Sequence, residues 1–310
     1  MKQKLFTFLL LSTVILAASC KRDSNYPDIR AYDNEQIKNY IAANNLTDFK
    51  RDTTNGDTSG MYYKIIQPGT GDADLKYSDT VSLVFTIKTF DGKYTSADTV
   101  VGNHVTTFVG YITKNGLPKG LEVGIYNILK RQGGSMRLLI PSRMAYGVNG
   151  IGSGSSSVVN GRIAGNQCLD YYVHVVDNLK DYDDRAIQRY MSDNGLAGYT
   201  KATSGLYYKI SGLDTGKIIT QTSSVTATYT RTLFNGTIFD QATASATVSI
   251  DGELLGVQQG LKLAKNGQSI SLLMPSRLAF GRSSALIGSL SIPAFSCIRN
   301  EFSISGVTYY

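Results

Sequence analysis

The chain has 310 residues, enough for two domains of ordinary size, each with its own core. Hydrophobic residues make up 42% and charged residues 18%, with 31 Gly, 20 Tyr and no Trp, which excludes a disordered or fibrous chain and indicates a strand-rich globular one. The formal charge of +7 is scattered along the sequence without a dense basic run, so nucleic acid is not an expected partner.

Residues 1–19 read as a targeting signal. MKQK supplies positive charge, and LFTFLLLSTVILAAS an apolar stretch too short for a comfortable membrane span. Small residues directly precede Cys20, which resembles a bacterial lipoprotein signal whose cysteine becomes the lipidated first residue. Leu16 stands four residues before Cys20, where such signals place it three before. The alternative is an ordinary secretory signal with a free thiol nearby. A lipidated Cys20 implies a membrane anchor in the bacterial cell envelope, at an outer membrane and facing the periplasm or the surface.

Residues 20–58 are expected to form a tether and a short helix, with Ile37, Tyr40 and Ile41 at helical spacing and Asp33 as N-cap. SGMYYKI at 59–65 and DTVSLVFTIKTFDG read as strands, the second closed by an Asp-Gly turn. Leu121, Ile125, Ile128 and Leu129 define a central helix, with Gly133 as its expected stop. The strand SMRLLIP then ends at Pro141, opening the phrase PSRMAYG, a Gly- and Ser-rich loop and a last strand from Cys168.

The same order then returns. Residues 179–203 are expected to be a connecting helix, with Ile187, Tyr190 and Met191 on one face and Asp183 as N-cap. SGLYYKI, SSVTATYTRTLFNG, a helix through Val257, Leu261 and Ala264 stopped by Gly267, SISLLMP, PSRLAFG and a last strand from Cys297 follow. A whole domain is therefore duplicated, over 59–178 and 204–310. The fold class is α+β, each domain an antiparallel sheet wrapped around one central helix. Cys168 and Cys297 occupy equivalent places in separate cores, which argues against a disulfide between them; they are expected to be small buried side chains.

This order of motifs resembles the FKBP-type peptidyl-prolyl cis-trans isomerases. VTATYTRTLFNGTIFDQA resembles the family's strand-turn-strand ending in Phe-Asp. LLGVQQGLKLAKNGQSISLLMPSRLAFG resembles its helix, turn, strand and Pro-x-x-x-Ala-Tyr-Gly, and SIPAF stands where the family has Ile-Pro-Pro. The resemblance implies rotation of X-Pro bonds in proline-containing exported polypeptides, with no cofactor and no metal. It implies a catalytic cleft of Tyr229, Phe239, Asp240, Leu254, Val257, Phe280 and Ile292. Leu254 stands where a backbone N–H would meet the ligand, Val257 at the family's Trp floor, and Phe280 for a Tyr. In the first copy the matching substrate-binding residues are Phe85, Tyr94, Leu117, Leu121, Tyr146, Ile163 and Tyr171, with no Phe-Asp pair, which makes its activity doubtful. The alternative is an FKBP-like chaperone or binding lipoprotein with weak catalysis or none.

Overall fold

A computed structural model describes residues 28–54, 56–70, 73–214 and 216–309. The leading apolar segment and Cys20 lie outside the described residues. The first domain opens with helix α1 (Ile29–Ala43) and strands β1 (Lys50–Arg51), β2 (Tyr62–Gln67), β3 (Thr80–Thr89), β4 (Thr95–Ser96) and β5 (His104–Phe108). Helix α2 (Lys119–Val123) continues into a π-helical turn, Gly124–Leu129, before β6 (Ser135–Ile140) and β7 (Leu169–Val176). The strands form one antiparallel sheet in the order β1-β2-β6-β7-β3-β4, with β5 pairing the other part of β3.

The second domain repeats the plan. Helix α3 (Leu179–Asp193) leads into β8 (Thr200–Lys201), β9 (Tyr207–Ser211), β10 (Ser223–Leu233), β11 (Ile238–Ser249), helix α4 (Leu255–Leu261) and β12 (Ser269–Met274). A hairpin of β13 (Ala285–Ile287) and β14 (Leu290–Ile292) precedes β15 (Ile298–Tyr309). The sheet order β11-β10-β15-β12-β9-β8 matches the first, except that β11 runs unbroken where β4 and β5 are separated by a turn.

Period-two patterning explains how each sheet holds its core. In β7, Leu169, Tyr171, Val173 and Val175 face α2, while Asp170, Tyr172, His174 and Val176 face the other way. The central helices press on the sheet through paired glycines. A Cβ at Gly120 would come within 2.5 Å of Ile140 and one at Gly124 within 2.7 Å of Leu138, and Gly256 and Gly260 stand in the same way against Met274 and Leu272. Both helices stop before the expected glycines: α2 and its π turn end at Leu129 with Lys130 left-handed, and α4 ends at Leu261. Gly133 and Gly267 serve the next turns instead.

The outer faces carry the leading helices, and here the expectation about Asp33 and Asp183 is corrected. The N-caps are Asp28 and Asn178, whose side chains accept from Arg30 N and Lys180 N. Asp33 lies inside α1, fully buried, with its Oδ2 3.0 Å from Arg143 Nη1, and Cys168 Sγ stands 3.6 Å from its Oδ1. Arg143 also donates to Ser59 O at 2.8 Å. In the second domain Asp183, Arg277, Cys297 and Ser204 reproduce all of these contacts. Tyr40 stacks on Phe90 at 3.9 Å, and Tyr190 on Phe234 at 4.0 Å. Each helix is thus built into the domain that follows it. Cys168 and Cys297 are buried free thiols.

The two domains meet along a small apolar seam. Val84 and Val176 on the outer face of the first sheet pack against Leu179 and Tyr182 of α3 and against Ala294 and Phe295 of the second domain.

Candidate active site

The second cleft forms where β10, β11, the start of α4 and the β13–β14 hairpin converge. Val257 and Ile292 are fully buried in the core, and Tyr229, Phe239, Leu254 and Phe280 pack against it half-buried. Phe239 meets Phe280 edge to face, with centroids 6.2 Å apart and planes at 72°. A β-bulge makes this possible. Arg231 pairs with Asp240 but Thr232 pairs with Ile238, so Phe239 is the extra residue and the strict alternation of β11 breaks there. Consecutive Phe239 and Asp240 are thereby both half-buried at one place.

Asp240 belongs to a charged group that the sequence reading missed. Arg231, almost fully buried, places Nε 3.4 Å from Asp240 Oδ2 and Nη2 2.6 Å from Glu253 Oε1. Its guanidinium lies over the Tyr229 ring at 4.7 Å. Burial, then the Asp240 charge and a hydrogen bond with that carboxylate, push the Tyr229 hydroxyl pKa up. Two carboxylates therefore hold one buried cation, and Asp240 stands fixed at the cleft edge. The sequence did carry a signal: Arg231 interrupts the inward series Val225, Ala227, Tyr229, Leu233. Next to Glu253, the backbone N–H of Leu254 donates to no group among the described residues.

The first domain also gathers its seven candidates. Phe85, Leu121, Ile163 and Tyr171 are buried in its core, and Tyr94, Leu117 and Tyr146 pack against it. Phe85 and Tyr171 lie 5.2 Å apart, and the Tyr171 hydroxyl is buried without a partner. Desolvation pushes the Tyr146 hydroxyl up to about 12, with a smaller contribution from Tyr94, and Tyr171 well above its ordinary value. The charged group has no counterpart here. Strand register puts Ile87 at the place of Arg231 and Ser96, which accepts from Asn103 Nδ2, at that of Asp240. The Gly- and Ser-rich loop folds back on the domain: Ile151 bridges Ile163, and Asn160 N donates to Lys93 O at 2.8 Å.

Helix register corrects the placement of Leu117. Pro118 immediately precedes α2 as Leu254 precedes α4, and the paired glycines fix that alignment. Leu117 therefore matches Glu253, and the position equivalent to Leu254 is a proline with no N–H to donate.

Comparison with known proteins gives the arrangement its relatives. No family model matches the chain. The FKBP-type peptidyl-prolyl cis-trans isomerase FkpA of Buchnera aphidicola (Schizaphis graminum) is 37% identical over 90 residues, covering 28% of this chain and 36% of that protein. The chain is related to the FKBP-type peptidyl-prolyl isomerases. The outer membrane protein MIP of Legionella longbeachae is 34% identical over 87 residues, 27% of this chain and 37% of that protein. The alignments thus span little more than a third of these two relatives. A solved peptidyl-prolyl isomerase of Pseudomonas syringae pv. tomato aligns over 98% of its length and 43% of this chain, at 24% identity and a TM-score of 0.36.

The α+β architecture is that of two FKBP-like domains in tandem, and their cores differ. Tyr171 in the first FKBP-like domain is replaced in the second by Asn300, which is fully buried. Asn300 Nδ2 lies 2.9 Å from Met274 Sδ, and its Oδ1 has no partner. The core beside Met274 therefore contains an amide where the first domain has a phenol.

Proposed function

We propose that the chain is a peptidyl-prolyl cis-trans isomerase and folding helper for exported polypeptides, with the second cleft as its catalytic site. Rotation about an amide C–N bond faces a barrier of about 18–20 kcal/mol because resonance makes the bond partly double. No bond to substrate is needed. The site must bind the twisted amide, whose carbonyl and nitrogen have lost conjugation, better than either planar form. Phe239, Phe280, Val257 and Ile292 offer apolar surface to the proline ring, and the unengaged N–H of Leu254 is available to a substrate carbonyl.

The observation that carries this reading is the second cleft's Tyr229–Arg231–Asp240–Glu253 group beside Phe239, with none of its three charges at the equivalent positions of the first. The carboxylate of Asp240 is held by an ion pair beside Phe239, which supports a role for it next to the rotating carbonyl. The first domain, with Pro118 for Leu254 and Ser96 for Asp240, suits client binding without efficient catalysis. Two linked weak sites raise avidity for an unfolded chain through effective concentration. The related MIP carries an outer-membrane name, and residues 1–20 resemble a lipoprotein signal. We place the protein in the bacterial envelope, anchored through lipidated Cys20. Acceleration of cis/trans exchange in an X-Pro tetrapeptide by the full chain is the expected result, and no acceleration over the uncatalysed rate refutes the reading.

A further inference from the structure

The turn after Ile292 links the second cleft to the first domain. Phe295 donates its backbone N–H to Gly281 O at 2.8 Å, closing the turn onto the residue next to Phe280. The first domain makes the same bond, from Asn166 to Gly147 O at 2.8 Å. Both donors are left-handed, with φ of 57° at Asn166 and 61° at Phe295. Asparagine tolerates that conformation, whereas for a bulky ring it is sparsely populated and persists only where surrounding contacts over-determine it.

Those contacts come from the second domain and from across the seam. Asn166 is exposed, but Phe295 is only 4% exposed. Its ring stacks on His104 of the first domain at 6.1 Å, meets Tyr182 edge-on at 6.4 Å, and carries the Arg282 guanidinium at 5.8 Å. Val84 and Val176 of the first sheet complete the cluster. The duplicated domain acts as an internal control. A turn-compatible Asn has its place taken by a turn-averse Phe in the one copy whose turn is buried against its neighbour.

We propose that Phe295 is a positioning residue for the second cleft. Docked on the first domain, it holds the turn 293–296, and through it Ile292 and the Phe280–Gly281 segment, in the arrangement that receives substrate. The second cleft's competence then depends on the first domain's outer face. The proposal rests on reading this cleft as the isomerase site, and it assigns the first domain a role that needs no catalysis of its own.

The test is Phe295→Asn in the full chain, which keeps a residue suited to the backbone and removes the ring. Amide hydrogen exchange across 285–297 is expected to rise by about tenfold. KM for an X-Pro tetrapeptide is expected to rise by about fivefold while kcat stays within about twofold of wild type. Phe295→Tyr, which retains the ring, should restore both, and exchange in β9 should be unchanged in either variant, showing an intact fold. Unchanged protection across 285–297 overturns the proposal, as does lost protection with KM and kcat both unmoved. A wild-type chain without isomerase activity removes the functional reading and with it the positioning role, while the exchange data still report separately whether the first domain braces the turn.

Discussion

Arg277 holds Asp183 with Nη1 3.3 Å from Oδ2, and Arg143 holds Asp33 in the same way at 3.0 Å. Both carboxylates are fully buried, while both guanidinia remain partly exposed. The arginines are those of the repeated PSRMAYG and PSRLAFG phrases, so the phrase marks the point where each leading helix is locked to its sheet. Removing one partner of a buried pair leaves the other uncompensated. Asp183→Ala and Asp33→Ala are each expected to cost about 3 kcal/mol of their own domain's stability in urea titration. Because the sites lie in separate cores, the two losses should add in the double variant.

Much of the fold was legible because duplication printed it twice. The strands, the central helices and the strand exit recur in order. What escaped was tertiary. Asp33 and Asp183 look like caps because Asp favours helix starts, yet Asp28 and Asn178, five residues earlier, satisfy the end N–H groups. Only the packing of a helix against a distant turn shows that the inner Asp meets an Arg. In the cleft, Tyr229, Phe239 and Asp240 were readable by motif. Arg231 and Glu253 were not, since their meaning arises when strand and helix start converge. Leu117 was misplaced by one residue because Pro118 does not resemble Leu254, and only helix register separates the two alignments.

Asp240 pairs with Arg231, so its removal leaves a buried guanidinium with Glu253 alone. Asp240→Ala is expected to lower kcat/KM for X-Pro exchange by about tenfold, the scale of one lost hydrogen bond to a charged group. Stability should fall less than in the Asp183 variant, because Asp240 is partly exposed. Exchange kinetics with a urea titration of the same variant check both points.

Leu254 permits a backbone test. Its φ of −56° already suits proline, and its N–H makes no internal hydrogen bond among the described residues. Leu254→Pro gives the second cleft the residue that the first has at Pro118. Catalysis is expected to drop by about tenfold or more with the thermal midpoint shifted by only a few degrees. Retained activity would show that the N–H is not used.

The seam makes stability depend on pH through His174. Burial, reinforced by the Arg185 charge and opposed by Asp177, lowers its pKa to about 4, and its Nε2 has no partner. Burial also lowers that of His104, which stacks on Phe295. Once the seam opens or the chain unfolds, His174 returns to its ordinary value near 6.5 and binds protons first as pH falls. The contribution of His174 is therefore flat above about pH 6.5, declines as pH falls towards about 4, and levels off below it. Between pH 7.5 and 5.0 the contribution of His174 is expected to be about 1–2 kcal/mol. Urea midpoints at the two pH values should differ less in His174→Gln than in the wild-type chain. An equal difference in both would mean that the acid sensitivity arises elsewhere than at this histidine.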